Sequence, residues 1–327
     1  MKNLLKDSFV GALCKEDPIV LIDVGASGGI RRVWRKAEGY LQAVGFEPDR
    51  RAFEALQKNA ASSRKYINAA LSETDGVSEF HLTQKQECSS ALRPNMSYLE
   101  QFPDAGRYKV IGRSSVPVRR LSEKLLRDEG VHDADFLKLD TQGGDLKILK
   151  GAAGLLEGRV FGIDVEVEFA PLYEGQPLFS DIDVFLRDRG FHIFDMRRYY
   201  WKRKAGLVAP NIKGQMIFGD ALYFKTYDSF VKGILGKGGI VLKTKILKAI
   251  AICQLYGKAD YALYLAGRAA GDGILSAAEN KIVYDALAGE HKTLPVKGRY
   301  AIANVLQRMA LRLKGGEFHV SDEELGE

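Results

Sequence analysis

A glycine-rich turn after a short apolar run constrains this chain more than any other feature of its sequence. Residues 19–22 are apolar and lead into Asp23-Val24-Gly25-Ala26-Ser27-Gly28-Gly29. An apolar run that ends at glycines is typical of a buried strand meeting a loop, where a ligand can approach the backbone closely. The spacing Gly-x-x-Gly-Gly differs from the Gly-x-Gly-x-x-Gly of dinucleotide-binding turns. The carboxylate of Asp23 would repel a pyrophosphate and attract a cationic amino acid group.

A second acidic residue, Glu47, ends the next apolar run, residues 41–46. A carboxylate at the end of a second strand can accept hydrogen bonds from both hydroxyls of a ribose. Together with Asp23, it favours S-adenosylmethionine as the bound nucleoside. An NAD-type ligand stays the main alternative, because Glu47 alone does not exclude it.

Strand-like and helix-like segments alternate through the first two thirds of the chain. The predicted strands are residues 19–24, 43–46, 66–70, 78–82, 116–118, 135–140, 161–169, 191–195 and 215–224. This alternation predicts an α/β fold with a doubly wound parallel sheet, whose ligands bind beyond the carboxyl ends of the strands. Acidic residues fall at or near four of these ends: Asp23, Glu47, Asp140 and Glu168.

The composition changes near residue 227, which predicts two domains, residues 1–226 and 227–327. The second is predicted to be a small helical domain with a hairpin of helices at 259–268 and 274–288 and a final helix at 299–314. Lysines alternate with apolar residues in the segment 232–248. This pattern fits either peripheral contact with an anionic membrane surface or the solvated face of helices packed on the core.

The overall composition of the chain excludes few classes of function. The chain has 327 residues and a net charge of +6, which permits an anionic substrate, a nucleic acid or a membrane surface without requiring one. Its three cysteines lie far apart, which argues against a zinc ribbon or a disulfide framework and for a reducing compartment. No signal-peptide pattern precedes residue 19, so we expect a cytoplasmic protein, with contact at the inner membrane surface as an option.

Several segments, in order, resemble the FkbM-type methyltransferase family. They are residues 21–26, 45–48, 68–72, 116–121, 136–143, 149–152 and 168–179. The resemblance implies a class I, Rossmann-like fold whose sheet is mostly parallel with one antiparallel strand. It also implies S-adenosylmethionine as cofactor and O-methylation of a saccharide, glycolipid or related small metabolite. It leaves the oligomeric state and any need for a divalent metal open.

The strand ends and the loops that follow them also suggest site residues. The cofactor-binding residues are expected to be Asp23, Gly25, Ala26, Ser27, Glu47, Pro48, Ala69, Ala70 and Asp140. The substrate-binding residues are expected to be Ser90, Tyr173, Gln176 and Arg198. We expect Asp140 and Glu168 to be catalytic, and we interpret the neighbouring Asp164 and Glu166 as ordinary edge or loop charges.

The chain departs from its relatives at one position that bears on the general base. Many relatives carry Asp-x-Glu-Gly where this chain has Asp140-Thr141-Gln142-Gly143. An amide cannot accept the proton of an alcohol, so the base is expected to be Asp140 or Glu168. The same two carboxylates are the candidates for a divalent-metal site, although two ligands define no metal.

Other functions remain as alternatives at this point. The basic charge and the cluster of cations and aromatic residues at 197–201 suggest a nucleic-acid methyltransferase, but the turn after Asp140 lacks the prolines usual in enzymes that methylate a base amine. An NAD-dependent oxidoreductase and a non-catalytic scaffold are the remaining hypotheses.

Overall fold

The computed structural model describes residues 3–58, 60–208, 213–288, 301–302, 305–306, 309, 319–322 and 325. The β-strands are β1 Ile19–Val24, β2 Leu41–Phe46, β3 Arg64–Ile67, β4 Ala70–Ser72, β5 Gly76–Thr83, β6 Val110–Arg120, β7 Phe136–Leu139, β8 Gly162–Glu168, β9 Phe191–Trp201, β10 Gln215–Lys225 and β11 His319–Ser321. The α-helices are α1 Leu4–Asp7, α2 Phe9–Glu16, α3 Arg32–Arg35, α4 Arg50–Lys58, α5 Met96–Leu99, α6 Glu123–Asp128, α7 Asp145–Gly151, α8 Ala153–Gly158, α9 Phe179–Arg187, α10 Tyr227–Ile234, α11 Gly239–Leu255, α12 Ala259–Gly271 and α13 Ala277–Leu287.

The large sheet confirms the predicted doubly wound architecture. Its strand order within the described residues is β11-β9-β10-β8-β7-β1-β2-β3. The strands from β8 to β3 pair in parallel, and β10 runs antiparallel to both β8 and β9. The short β11 was not predicted and adds a further antiparallel pairing at the edge, next to β9. Chain order reverses between β1 and β7, so their carboxyl ends flank the switch point where such folds bind ligands.

A second sheet, with the order β4-β6-β5, was not predicted as a separate unit. The predicted strand at 66–70 is divided, because β3 ends at Ile67 and Ala70 begins β4, which pairs with β6. Between them, the side-chain Nδ2 of Asn68 donates to the backbone oxygens of Glu47 and Pro48 at 2.8 and 3.1 Å. These bonds tie the chain to the end of β2 instead of extending β3.

The strand β9 is longer than predicted. Residues 197–201, interpreted from sequence as following the strand, continue β9 because they pair with β10 up to the register Gln215 to Trp201. Pro117 lies in β6 at a point where β5 is its neighbour and the pairing with β4 has not yet begun. β6 is the central strand of this sheet, and Pro117 lies at a point of the strand that has a paired neighbour on one side only.

Helices cover both faces of the large sheet. One hydrophobic cluster joins α6, α7, α8 and α9 to one face, and another joins α1–α3 and α10–α13 to the other. In the second cluster Phe136, Phe161 and Phe224 of the sheet pack with Ile250 and Tyr256. The helices from residue 227 onward thus share a core with the sheet, although α10 does begin at the predicted boundary. The division into domains 1–226 and 227–327 stays a prediction, and most of the predicted final helix at 299–314 lies outside the described residues.

Two lysines of α11 are buried and bind carboxylates inside the protein. The Nζ of Lys245 lies 2.6 Å from Asp135 and 2.7 Å from Asp133. The Nζ of Lys248 lies 2.7 Å from Asp17 and 3.5 Å from Asp135. Asp135 in turn accepts a hydrogen bond at 2.8 Å from the backbone of β1, at the amino end of β7. Both interpretations of the lysine pattern are therefore wrong for these two positions.

No helix in the described part of the chain is both long enough and apolar enough to cross a membrane.

Replacing Asp135 by alanine should lower the free energy of unfolding by about 3–5 kcal/mol, because it removes a buried carboxylate that contacts two buried ammonium groups. Urea denaturation measures this change. The matched control is Asp285→Ala, which removes the exposed partner of Lys281 and should leave the unfolding midpoint little changed. Equal losses in the two variants would contradict a special role for the buried cluster.

Candidate functional site

The glycine turn after β1 is pressed against the end of β7. Gly25 has φ +74°, and a Cβ built on it would lie 2.0 Å from the backbone oxygen of Asp140. The N–H groups of Gly25 and Ala26 donate to the backbone oxygen of Phe46 at 3.1 and 3.2 Å. Ala26 is buried and Ser27 is exposed. The turn is thus held between the ends of β2 and β7, at the carboxyl edge of the sheet.

Asp23 is buried at the end of β1 and faces a lysine. The Nζ of Lys138 lies 3.2 Å from Asp23 Oδ1 and 3.9 Å from Asp140 Oδ2, and it donates to the backbone oxygen of Gly25 at 2.8 Å. Burial raises the pKa of Asp23, and Lys138 opposes the rise. Burial alone would lower the pKa of Lys138, but Asp23 and Asp140 outweigh it and the pKa is raised. Lys138 therefore keeps its charge. Sequence reasoning missed it, although a lysine inside a strand of apolar residues was the available signal.

Glu47 is buried at the end of β2. Its Oε1 accepts a hydrogen bond from the backbone of Asp49 at 2.9 Å. Burial raises its pKa, while backbone hydrogen bonds from Asp49 and Ser27 oppose the rise. Pro48 follows directly, and Ala69 and Ala70 lie just after β3, half-buried and buried respectively. The predicted cofactor residues thus lie along the ends of β1, β2, β3 and β7. Their contacts with the cofactor stay predictions.

A row of charged side chains crosses the sheet below this edge. Asp23 is opposite Lys138 in the register of β1 and β7, and Lys138 is opposite Asp164 in that of β7 and β8. Arg31, just before α3, lies 3.1 Å from Asp164 and 2.7 Å from Asp220. Burial raises the pKa of Asp164 to about 6, and Arg31 opposes the rise. Asp164 is therefore a buried member of an ion-pair network, not an ordinary edge charge.

Gln142 connects the carboxylates at the ends of β7 and β8. Its Nε2 donates to Asp140 Oδ1 at 3.3 Å and to Glu166 Oε1 at 3.2 Å, and its Oε1 accepts from the hydroxyl of Tyr173 at 3.0 Å. Its backbone oxygen accepts from Ser90 Oγ at 2.7 Å. Gln142 also has φ +55°, a backbone conformation that persists in a residue other than glycine only when its surroundings hold it.

The residues expected at the substrate site divide into two groups. Ser90 and Tyr173 are buried and hold the turn of Gln142, and buried Gln176 accepts a hydrogen bond from the backbone of Tyr173 at 2.5 Å. Arg198 instead lies exposed on β9, and its Nε is 2.7 Å from Asp322. The structure brings the first three together at the carboxyl edge and leaves Arg198 outside the group. Their roles in binding a substrate stay predictions.

The remaining carboxylates at this edge have raised pKa values. Burial raises the pKa of Glu166 well above its usual range, and Asp140 and Glu168 raise it further. Burial also raises the pKa of Glu168 well above its usual range, and repulsion from Asp145 and Asp140 raises it further. Asp145, the first residue of α7, was missed because acidic residues are common in a first helical turn. The pKa of Asp145 is raised to about 7, mainly by burial and further by repulsion from Asp140. In the parts of the chain that are described, no group of three or more His, Cys, Asp or Glu side chains is arranged to hold a metal ion.

The Gly25→Ala substitution should cost about 3 kcal/mol or more of unfolding free energy and weaken binding of S-adenosylhomocysteine, the demethylated form of the implied cofactor. The added methyl group would collide with Asp140 and would also require a left-handed alanine. Urea denaturation and calorimetry measure the two effects.

The matched control for this substitution is Gly28→Ala. Gly28 also has positive φ, but no atom lies within 4 Å of its added Cβ, so backbone strain of about 1–2 kcal/mol is the expected cost. If both variants lose the same stability, the close approach to Asp140 does not constrain the turn.

Asp145→Asn should make the protein more stable at about pH 8 by about 1–3 kcal/mol. The pKa of Asp145 is raised from 3.8 to about 7 in the folded protein, so the folded state binds the proton more tightly than the unfolded state. The wild type therefore loses stability as the pH rises from about 4 to about 7, and the asparagine variant lacks this loss. Urea denaturation across this range tests it, with exposed Asp188→Asn as control. An unchanged pH slope in Asp145→Asn would contradict the assignment.

Comparison with known proteins gives the family. The model of the methyltransferase FkbM domain matches residues 23–193. "Methyltransferase sdnD" from Sordaria araneosa is 27% identical over 196 residues, which are 53% of this chain and 73% of that protein.

Several solved methyltransferase structures are also similar to this chain, with low TM-scores. TrmK of M. capricolum, in complex with S-adenosylhomocysteine, has a TM-score of 0.33 at 6% identity and covers 85% of this chain and 97% of its own. The 1,6-didemethyltoxoflavin-N1-methyltransferase of Burkholderia thailandensis has 0.31 at 13% identity and covers 69% and 79%. The family match spans more than half of the chain, and the sheet order agrees with it. The chain therefore belongs to the FkbM methyltransferase family, with a class I fold and S-adenosylmethionine as cofactor.

Proposed function

We propose that this enzyme transfers a methyl group from S-adenosylmethionine to a hydroxyl of a saccharide, glycolipid or related small metabolite. The observation that carries the proposal is the carboxylate of Asp140, which stands beside the glycine turn with its side chain 34% exposed. A hydroxyl is a poor nucleophile until its proton leaves, so such a reaction needs a base within hydrogen-bond reach. A partly exposed carboxylate at the carboxyl edge of the sheet suits this role.

The residues at the edge fit the cofactor. The buried carboxylate of Glu47 offers acceptors for ribose hydroxyls. The turn is open on one side, because no atom lies within 4 Å of a Cβ built on Gly28. We assign the amino acid part to Asp23, Gly25, Ala26 and Ser27, the ribose to Glu47 and Pro48, and the adenine to Ala69 and Ala70. When bound, the cofactor supplies an electrophilic methyl group on a positively charged sulfur. Membership of the family makes the NAD-dependent alternative wrong.

We assign the proton transfer to Asp140, with Glu168 as the second catalytic carboxylate. Glu168 is only 1% exposed, so a substrate reaches Asp140 first. The amide of Gln142 donates to Asp140 and fixes its orientation, while leaving Asp140 Oδ2 free of that bond. A base of this kind contributes about 10²–10⁴-fold, and holding the reacting groups in line contributes about 7–11 kcal/mol at most.

The charge of the site argues for a neutral acceptor. The carboxylate of Asp140, and those of Glu166 and Glu168 when they are ionised, would repel the phosphates of a nucleic acid. Residues Glu174 and Gly175 are exposed between buried Tyr173 and Gln176, which suits a border of the acceptor entrance. A carbohydrate or another polyol fits these conditions better than RNA or DNA.

Incubation with methyl-labelled S-adenosylmethionine and a panel of sugars, glycolipids, hydroxylated metabolites, RNA and DNA tests the proposal. Label should appear as a methyl ether on a hydroxyl acceptor. At saturating cofactor, Asp140→Asn should lower kcat by about 10²–10⁴-fold, because the amide cannot accept the proton. Exposed Asp285→Asn is the control and should keep the full rate. Label on nucleic acid, label on nitrogen, or a full rate in Asp140→Asn would each contradict the proposal.

A further inference from the structure

We propose that the carboxylates around Gln142 select the cofactor by charge, so that the enzyme binds S-adenosylmethionine, with its positive sulfur, more tightly than the neutral product S-adenosylhomocysteine. The inference concerns the cofactor and not the acceptor. It stands whether or not the acceptor proposed above is correct.

The carboxylates of the row formed by Asp23, Asp164 and Asp220 are paired with cations inside the protein. Lys138 lies 3.2 Å from Asp23, and Arg31 lies 3.1 Å from Asp164 and 2.7 Å from Asp220. Each carboxylate of this row therefore has a cation at ion-pair distance. With three carboxylates and two cations, the row keeps at most one uncompensated negative charge.

The upper group of carboxylates, Asp140, Asp145, Glu166 and Glu168, lacks such compensation. The cation nearest to it is Lys138, 3.9 Å from Asp140 and already bound to Asp23. Glu166 accepts its hydrogen bond from the neutral amide of Gln142. The Oδ2 of Asp145 is buried and has no hydrogen-bond partner among the described residues, and no Lys or Arg of that part of the chain forms an ion pair with Asp145, Glu166 or Glu168. The group thus has no cation of its own to balance the negative charge that its carboxylates carry when they are ionised.

This group of carboxylates borders the cofactor turn. The backbone of Asp140 touches Gly25 so closely that no Cβ fits between them. The side-chain amide of Gln142 donates hydrogen bonds to both Asp140 and Glu166. Gln142 is itself held in place by hydrogen bonds that it accepts from Tyr173 and Ser90. The carboxylates cannot spread apart without breaking these hydrogen bonds. A cation held by the glycine turn would therefore lie close to fixed negative charge in a partly buried site, where attraction is stronger than in water.

The protonation of the group should respond to such a cation. The charged groups acting on Glu166 are Asp140 at the end of β7, Glu168 on β8, Asp220 on β10 and Asp145 on α7, and Glu166 in turn acts on Tyr108 and Tyr173. Burial and these acids raise the pKa of Glu166, so the group holds protons near neutral pH. A positive ligand favours the ionised carboxylates and should release protons on binding.

Methyl transfer removes this attraction. The methyl carbon forms its new bond to the acceptor oxygen, the electron pair of the broken bond stays on sulfur, and the hydroxyl proton passes to a carboxylate. The sulfur is then neutral, and the carboxylate group has lost both its cation and part of its charge. Product release follows from the loss of a Coulomb attraction, without any change of fold.

Isothermal titration calorimetry tests the proposal with three probes: S-adenosylmethionine, S-adenosylhomocysteine and sinefungin, in which an amine replaces the methylsulfonium. At about pH 7 the two cationic probes should bind about tenfold or more tightly than S-adenosylhomocysteine. The ratio should fall at about pH 5.5. At this pH the α-amino groups of the probes stay protonated, while some of the carboxylates of the protein become protonated and lose their attraction for the cation. Titrations in buffers of different ionisation enthalpy should show more proton release with S-adenosylmethionine than with S-adenosylhomocysteine.

The variant Glu166→Gln should reduce the affinity ratio to about threefold or less while S-adenosylhomocysteine still binds. Glu174→Gln is the matched control, because it removes the same charge from an exposed side chain at the same edge, and it should keep the wild-type ratio. Equal or tighter binding of S-adenosylhomocysteine by the wild type at both pH values would overturn the proposal. A wild-type ratio in folded Glu166→Gln would also overturn it. If that variant does not fold, the wild-type ratio and proton release decide.

Discussion

The close approach of Gly25 to the backbone of Asp140 determines the arrangement of the whole site. It joins the turn after β1 to the end of β7, where chain order reverses and a ligand has room to bind. The backbone of Asp140 also donates to Val24 at 3.1 Å, and Lys138 donates to Gly25 at 2.8 Å. Because one turn and one strand end are fixed by three independent contacts, the carboxylate of Asp140 has a defined position relative to the cofactor turn. A position of this kind is what methyl transfer requires most from the protein.

The strand β7 links this site to the helices that follow the sheet. Asp135 binds Lys245 and Lys248 of α11 just before the strand, Lys138 binds Asp23 within it, and Asp140 follows it. The buried ion pairs of α11 thus anchor the amino end of the strand whose carboxyl end carries the proposed base. Burying charges is costly unless each has a partner, and here the partners are present at short distances. The helices from residue 227 onward therefore support β7 through a core that they share with it.

The sequence allowed the acidic strand ends to be predicted, because Asp23, Glu47, Asp140 and Glu168 each lie at or near the end of a predicted strand and the parallel sheet gathers such ends at one edge. It did not show the partners of these acids. Lys138, Gln142 and Arg31 act through contacts between distant segments, which periodicity does not report. Lys245 and Lys248 were misinterpreted for the same reason, since an alternation of lysine and apolar residues predicts a surface unless a buried acid such as Asp135 lies opposite. The division of β3 from β4 depends on one side chain, Asn68, and local propensity carries no sign of it.

Gln142 places a neutral amide at a position of the turn where many relatives have a charged glutamate. A glutamate at this position, as in many relatives, would add a third carboxylate to Asp140 and Glu166 and could not donate to either of them. The glutamine instead donates to both and keeps them at one place without neutralising them. Unpaired buried carboxylates lower the stability of the free protein, and natural proteins retain such costs at functional sites. A positively charged ligand bound at this edge would offset this cost. The acidic residues at this edge, in a chain whose net charge is +6, therefore bear on the choice of ligand more directly than the overall composition does.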